Sequence, residues 1–237
     1  MSKIYEALEH AKQKIKHTKI VSSVPESPRL RMEDEMIQLY QSINSILSGN
    51  NEKIIQFIGS LSREGASTIS REFASTLAQR LGKNVLLLDA DPNLPSQHIA
   101  FDINIENDIK NVMKDNTPLI EALYRVGDAS LFVCLMSVNS PYSPDLFDSP
   151  KIDKVWDELR KRFDIIIVDS PPPNSSPIGF AICRTVDGVI LVVEAEKTRW
   201  PVILSVKERI IQNGGKILGV VFNKRKFYIP KLIYRWI

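Results

Sequence analysis

Six apolar runs, each separated from the next by enough chain for a helix or a long loop, constrain this chain more than any other feature. They are KIIQFIGS from Lys53, NVLLLDAD from Asn84, SLFVCLMSV from Ser130, DIIIVDSPP from Asp164, DGVILVVEA from Asp187 and KILGVVFN from Lys216. The intervening segments STISREFASTLAQRLG, KIDKVWDELRKRF and WPVILSVKERIIQNG carry apolar residues at helical spacing. Strands without polar alternation are covered on both faces, and strands alternating with helices run parallel. The expected fold is therefore α/β: a doubly wound, mainly parallel sheet with helices on both faces. In such sheets ligands bind beyond the C-terminal ends of the strands, so the residues that follow each apolar run carry the information about function.

Composition narrows the class without naming a function. Apolar residues make up 43% and charged residues 25% of 237, ordinary values for a folded domain that set aside disordered and coiled-coil classes. No apolar run approaches the roughly 20 residues that span a bilayer, and the opening MSKIYEALEHAKQKIKH lacks the apolar core of a secretory signal. A cytoplasmic location, peripheral at the inner face of the cell membrane, is expected. Cys134 and Cys183 lie in apolar runs and read as reduced core thiols.

The net charge of +3 is unevenly spread, because residues 1–20 carry five Lys against two Glu and residues 224–237 carry five Lys and Arg and no acid. The body between them is acidic, which argues against nucleic acid as a partner. Residues 1–17 place Ile4, Leu8, Ala11 and Ile15 at helical spacing, and residues 18–30 hold two prolines and three serines and read as a linker. The main domain spans 31–223 and opens with a helix over 32–47, whose Glu33, Asp34 and Glu35 suit the helix dipole or a contact with a second copy. The tail 224–237, KRKFYIPKLIYRWI, pairs basic with aromatic residues and fits an anionic membrane surface or packing back on the domain.

The first apolar run ends in Gly59-Ser60-Leu61-Ser62-Arg63-Glu64-Gly65-Ala66-Ser67-Thr68 and passes directly into a helix. A small-residue loop at a helix N-terminus favours phosphate, because its backbone N–H groups and the helix dipole both attract an anion. Against G-x-x-x-x-G-K-S/T, Gly65 and Ser67 match, whereas the lysine position is Ala66. Asp89 and Asp91 end the second run and Asp169 ends the fourth. Two strands that bring carboxylates to the edge holding a hydroxyl-bearing loop make an oxygen site suited to Mg²⁺ and a nucleotide.

With these elements in order, the sequence resembles the bacterial tyrosine kinases of capsule and exopolysaccharide systems, within the larger MinD/ParA group of P-loop ATPases. SLSREGAST is similar to that family's Walker A loop, VLLLDADPNLPSQHIAF to its second Walker element, and FDIIIVDSPPP to its Walker B strand. LGVVFNKRKFYIP and the opening SKIYEALEHA also resemble members of these systems. The resemblance implies a P-loop fold that binds ATP or ADP with Mg²⁺. Arg63, Glu64, Gly65, Ala66, Ser67, Thr68 and Asn223 would line the nucleotide, Asn223 near the adenine. Ser67, Asp89 and Asp169 would hold the metal, and Asp89 and Asp91 would orient an attacking tyrosine. It further implies a partner in the cytoplasmic part of a membrane polysaccharide chain-length or export protein, and assembly into homo-oligomers.

The departures bear on activity. Ala66 removes a charge-assisted phosphate contact worth about 1.5–3 kcal/mol, a roughly ten- to hundredfold weaker grip. Transfer suffers more than binding, because it depends on positioning and charge stabilisation. Asn93 stands where a basic residue is expected, PNSSPIGFA lacks an expected aspartate, and the tail carries Tyr228 and Tyr234 but no tyrosine cluster. The expectation is a kinase-like protein with weak or lost tyrosine autokinase activity. The alternatives are a non-enzymatic regulator of the membrane chain-length protein and a MinD/ParA-type membrane-positioning ATPase.

Overall fold

The computed structural model of the protein describes residues 20–21, 32–47, 53–115, 117–136, 147 and 149–225. The expected N-terminal helix, nearly all of the linker and the tail beyond Arg225 lie outside these residues. Among the described residues there are eight strands: β1 Ile20–Val21, β2 Lys53–Gly59, β3 Val85–Asp89, β4 Tyr124–Val126, β5 Leu131–Leu135, β6 Ile165–Ser170, β7 Gly188–Glu194 and β8 Ile217–Asn223. The helices are α1 Glu33–Ile46, α2 Ala66–Arg80, α3 Gln97–Ala100, α4 Ile109–Asp115, α5 Pro150–Arg160, α6 Ile178–Cys183 and α7 Trp200–Gln212.

The strands form one sheet in the order β1-β4-β5-β3-β6-β2-β7-β8. The six strands expected from the apolar runs, β2, β3, β5, β6, β7 and β8, all run parallel to their neighbours in this set. The departure from parallel order is β4, which pairs antiparallel with β5 and parallel with β1. The sequence reading missed both, since YRV and IV are too short to show a period.

The continuous apolar runs are explained by two covered faces. Ile55, Phe57, Val85, Leu87, Ile165 and Ile167 pack with Met36 and Ile43 of α1 and Phe73 and Leu77 of α2. Their neighbours Ile54, Leu86, Leu88, Ile166 and Val168 face the other way, against Ile152, Val155 and Leu159 of α5 and Ile182 of α6. Ile58, Val189, Leu191 and Val193 meet Ile203, Val206 and Ile210 of α7. The alternation along each strand thus decides which helical layer each side chain enters. Both cysteines are free and buried, as expected.

Two polar ties fix the layers. Glu33 of α1 pairs with Arg80 of α2 at 2.8 Å, so one of the three leading acids serves a contact within the chain, while Asp34 and Glu35 stay exposed. Asp187 accepts a bidentate pair of bonds from Arg160 at 2.8 and 2.9 Å and a third from the Ile54 backbone N–H at 2.7 Å. It thereby joins α5 to the starts of β2 and β7. Replacing Asp187 by alanine leaves a half-buried guanidinium and a strand N–H without that acceptor, and urea unfolding should show a loss of about 2–3 kcal/mol.

Candidate functional site

The chain from β2 runs through α2 to β3 on one side of the sheet, and from β6 through α6 to β7 on the other, so the connections diverge around β2 and β6. A crevice opens at the C-terminal ends of strands where connections diverge in this way. The loop 60–65 sits there and passes directly into α2. Gly65 is the residue before the helix, with φ +94°. A Cβ at that position would collide with the Asn223 side-chain amide, so the loop needs glycine for both reasons. Thr68 and Ile69 N–H groups donate to the Gly65 carbonyl at 3.1 and 3.0 Å and begin the first helical turn.

Glu64 holds the loop shut from within. Its buried carboxylate accepts from Ser60 Oγ at 2.8 and 2.9 Å, Leu61 N at 2.7 Å, Glu194 N at 3.3 Å and Thr198 Oγ1. The carboxylate is therefore occupied by the loop, by the last residue of β7 and by Thr198 just beyond it. Two residues at the end of β8 support the same loop from outside: Asn223 Nδ2 donates to the Glu64 carbonyl at 2.8 Å, and Lys224 Nζ donates to the Arg63 carbonyl at 2.6 Å. Lys224 Nζ also donates to Glu194 Oε2 at 3.1 Å, beside Lys197 at 3.0 Å. These two bonds hold the Glu194 carboxyl below its ordinary range, that from Lys197 foremost. Arg63 itself is exposed, with φ +69°.

Beside the loop, Asp89 on β3 and Asp169 on β6 are register partners. Strand alternation turns both toward the α2 layer, following Leu87 and Ile167. Asp89 accepts from the backbone N–H groups of Asp91 at 3.1 Å, Ser96 at 2.7 Å and Gln97 at 2.9 Å. Burial raises its pKa to about 6 in spite of those bonds. Burial, followed by the neighbouring Asp89 carboxylate, raises Asp169 to about 8, while the Gln97 amide and the nearby Ser67 hydroxyl act in the opposite direction. Asp91 is partly exposed and forms a turn, its Oδ1 accepting from Asn93 N at 2.9 Å and Leu94 N at 3.1 Å.

The site residues expected from the sequence thus fall into two adjoining groups. Arg63, Glu64, Gly65, Ala66, Ser67, Thr68 and Asn223 form or touch the loop, and Asp89, Asp91 and Asp169 form an acid corner next to Ser67. Sequence reasoning missed Gln97, which is fully buried between them. Its Nε2 donates to Asp169 Oδ2 at 2.6 Å and to the Ser67 carbonyl at 2.9 Å, and its Oε1 accepts from Arg71 at 3.2 Å. It also missed Lys224 as a loop contact, having placed it at the head of the tail.

The donor set fits a hard divalent cation. Asp169 Oδ1 is buried without a hydrogen-bond partner, next to a second carboxylate and the Ser67 hydroxyl. No cluster of three or more metal-ligating acids, histidines or cysteines occurs among the described residues. Mg²⁺ is commonly bound through one or two carboxylates and the phosphates of a nucleotide, without a full protein cage.

A parallel α/β sheet whose first core strand feeds a glycine loop and helix, flanked by acids ending two neighbouring strands, defines the P-loop nucleotide-binding class. The model of the AAA domain family matches residues 52–200, and the chain belongs to that family. It is similar to the tyrosine-protein kinase CpsD of Streptococcus agalactiae serotype III, 28% identical over 199 residues, covering 83% of this chain and 85% of that protein. Among solved structures it is similar to the VpsO kinase domain, with a TM-score of 0.72 and 26% identity over 84% of this chain and 98% of that one. The septum site-determining protein MinD of Pyrococcus horikoshii, complexed with Mg-ADP, shares the fold, with a TM-score of 0.61 and 17% identity over 78% of this chain and 76% of that one. The resemblance to bacterial tyrosine kinases within the MinD/ParA group therefore holds. No helix among the described residues is long and apolar enough to cross a membrane.

Proposed function

We propose that the chain is a tyrosine-kinase-like component of a bacterial polysaccharide synthesis or export system, which binds ADP or ATP with Mg²⁺ weakly and transfers phosphate poorly. The observation that carries this reading is the pairing of an assembled acid corner with Ala66 at the loop position where a phosphate-binding lysine belongs. Backbone N–H groups of 64–68 would cradle the phosphates, and Asn223 would stand at the base side of the loop. Ser67 and Asp169, with Asp89, would hold the metal, which when bound supplies charge neutralisation at the phosphates. Asp89 and Asp91 would orient an incoming hydroxyl. Leu94 and Ile99, 78% and 71% exposed beside that corner, offer apolar surface for the segment that carries it.

The same observation favours a second reading, a regulator that uses the fold to bind the cytoplasmic part of a membrane chain-length protein without chemistry. The basic tail would add attraction to an anionic membrane, and copies of the chain would associate through the acidic end of α1.

A phosphotyrosine assay on the purified chain with ATP and Mg²⁺ separates the two readings. Incorporation slightly above background and raised at least tenfold by Ala66→Lys supports the weak kinase. No incorporation in either protein supports the regulator. Strong incorporation by the wild type, lost in Asp89→Ala, would overturn the reading of Ala66 as a defect.

A further inference from the structure

The Gln97 side chain touches the first turn of α2 and the β6 carboxylate at once. Both hydrogens of its amide are committed, to Asp169 Oδ2 and to the Ser67 carbonyl, and its backbone N–H is held by Asp89 Oδ2. Its carbonyl oxygen faces the Arg71 guanidinium on α2. A buried primary amide has two donors and an acceptor able to take two bonds, and here both donors are used inside the site. The bond to Oδ2 leaves Asp169 Oδ1 as the buried oxygen without a partner. The amide thus selects which carboxylate oxygen remains available, and Arg71 polarises that amide toward stronger donation.

We propose that Gln97 is the positioning residue of the metal corner: it fixes the Asp169 carboxylate against Ser67 with Oδ1 open to a cation, and through Arg71 it links a positive charge to a site whose loop lysine position is alanine. This inference rests on the nucleotide–metal reading above. Removing a partner that orients a ligating carboxylate typically costs about 10–100-fold in metal affinity. Gln97 makes no claim on the nucleotide, so metal-free nucleotide binding should be spared.

The test uses the full chain with ADP, with Mn²⁺ as the paramagnetic probe and free Mn²⁺ followed by electron paramagnetic resonance. Gln97→Ala should weaken Mn²⁺ uptake by at least tenfold while changing metal-free ADP affinity less than about threefold. Arg71→Met, which leaves the buried amide in place, should weaken uptake by a smaller factor, and Arg71→Lys should restore most of it. If Gln97→Ala fails to fold, the Arg71 pair carries the test. A merely structural Gln97 would lower the melting temperature and leave Mn²⁺ uptake by the folded variant at the wild-type level, and that result would overturn the inference alone. A wild type that takes up no Mn²⁺ in the presence of ADP would overturn the nucleotide–metal reading and this inference with it.

Discussion

Glu64→Ala is expected to destabilise the protein by about 3 kcal/mol or more in urea unfolding, a large share of the roughly 5–15 kcal/mol that holds a domain folded. The carboxylate sits 3% exposed and receives Ser60 Oγ, Leu61 N, Glu194 N and Thr198 Oγ1. Truncation strands these donors where solvent has little access, and each buried donor left unpaired costs about 1–3 kcal/mol. Because Glu194 ends β7 and Thr198 follows it, the change also frees that end of β7 and the turn after it from the loop. Glu64→Gln keeps the shape and half of the acceptor capacity and should recover part of the loss. A stability within 1 kcal/mol of wild type for Glu64→Ala would show that the loop does not depend on this internal anchor.

Asp169→Asn should have the opposite effect on stability and abolish metal binding. Burial and the adjacent Asp89 raise the Asp169 carboxyl from an ordinary 3.8 to about 8. Between those values the folded chain binds a proton that the unfolded chain has released, so this group's contribution to stability falls as pH rises through the window. Asparagine never ionises, and it still presents an oxygen to the Gln97 amide. The variant should therefore melt about 5 °C or more above the wild type at pH 9, corresponding to a gain of roughly 2 kcal/mol or more for a chain of this size, and the gap should close toward pH 4. Some slope between pH 4 and 6 should persist in both proteins, because burial also raises Asp89 to about 6. Equal melting curves at pH 9 would mean that Asp169 is ionised without penalty.

The fold was largely legible because its strands are buried on both faces, which turns each into an unbroken apolar run. The six runs correspond to β2, β3, β5, β6, β7 and β8, and the helix over 32–47 appears as α1. The strands that escaped, β1 and β4, are too short for any period, although Tyr124 and Val126 of β4 are buried in the core. The short helices α3, α4 and α6 were missed for the same reason.

Within the site, acids ending strands and a glycine before a helix carry local signals, so Gly65, Asp89 and Asp169 could be read directly. Gln97 could not. An amide three residues beyond an exposed leucine has no sequence signature, and its importance comes from the turn that folds α3 back over the loop. The role of Glu64 was similarly hidden, since four donors from two distant segments converge on it. Lys224 looked like the first charge of a basic tail, whereas the approach of β8 to the loop turns it onto the Arg63 carbonyl.

The central claim is that this loop and acid corner bind a nucleotide through Mg²⁺ with a grip weakened by Ala66. Calorimetric titration of ADP into the full chain, with and without Mg²⁺, tests it most directly. The account predicts weak binding that Mg²⁺ strengthens, a gain of about 10–100-fold in Ala66→Lys, and no Mg²⁺ dependence in Asp169→Asn. Tight ADP binding by the wild type, indifferent both to Ala66→Lys and to Asp169→Asn, would contradict it.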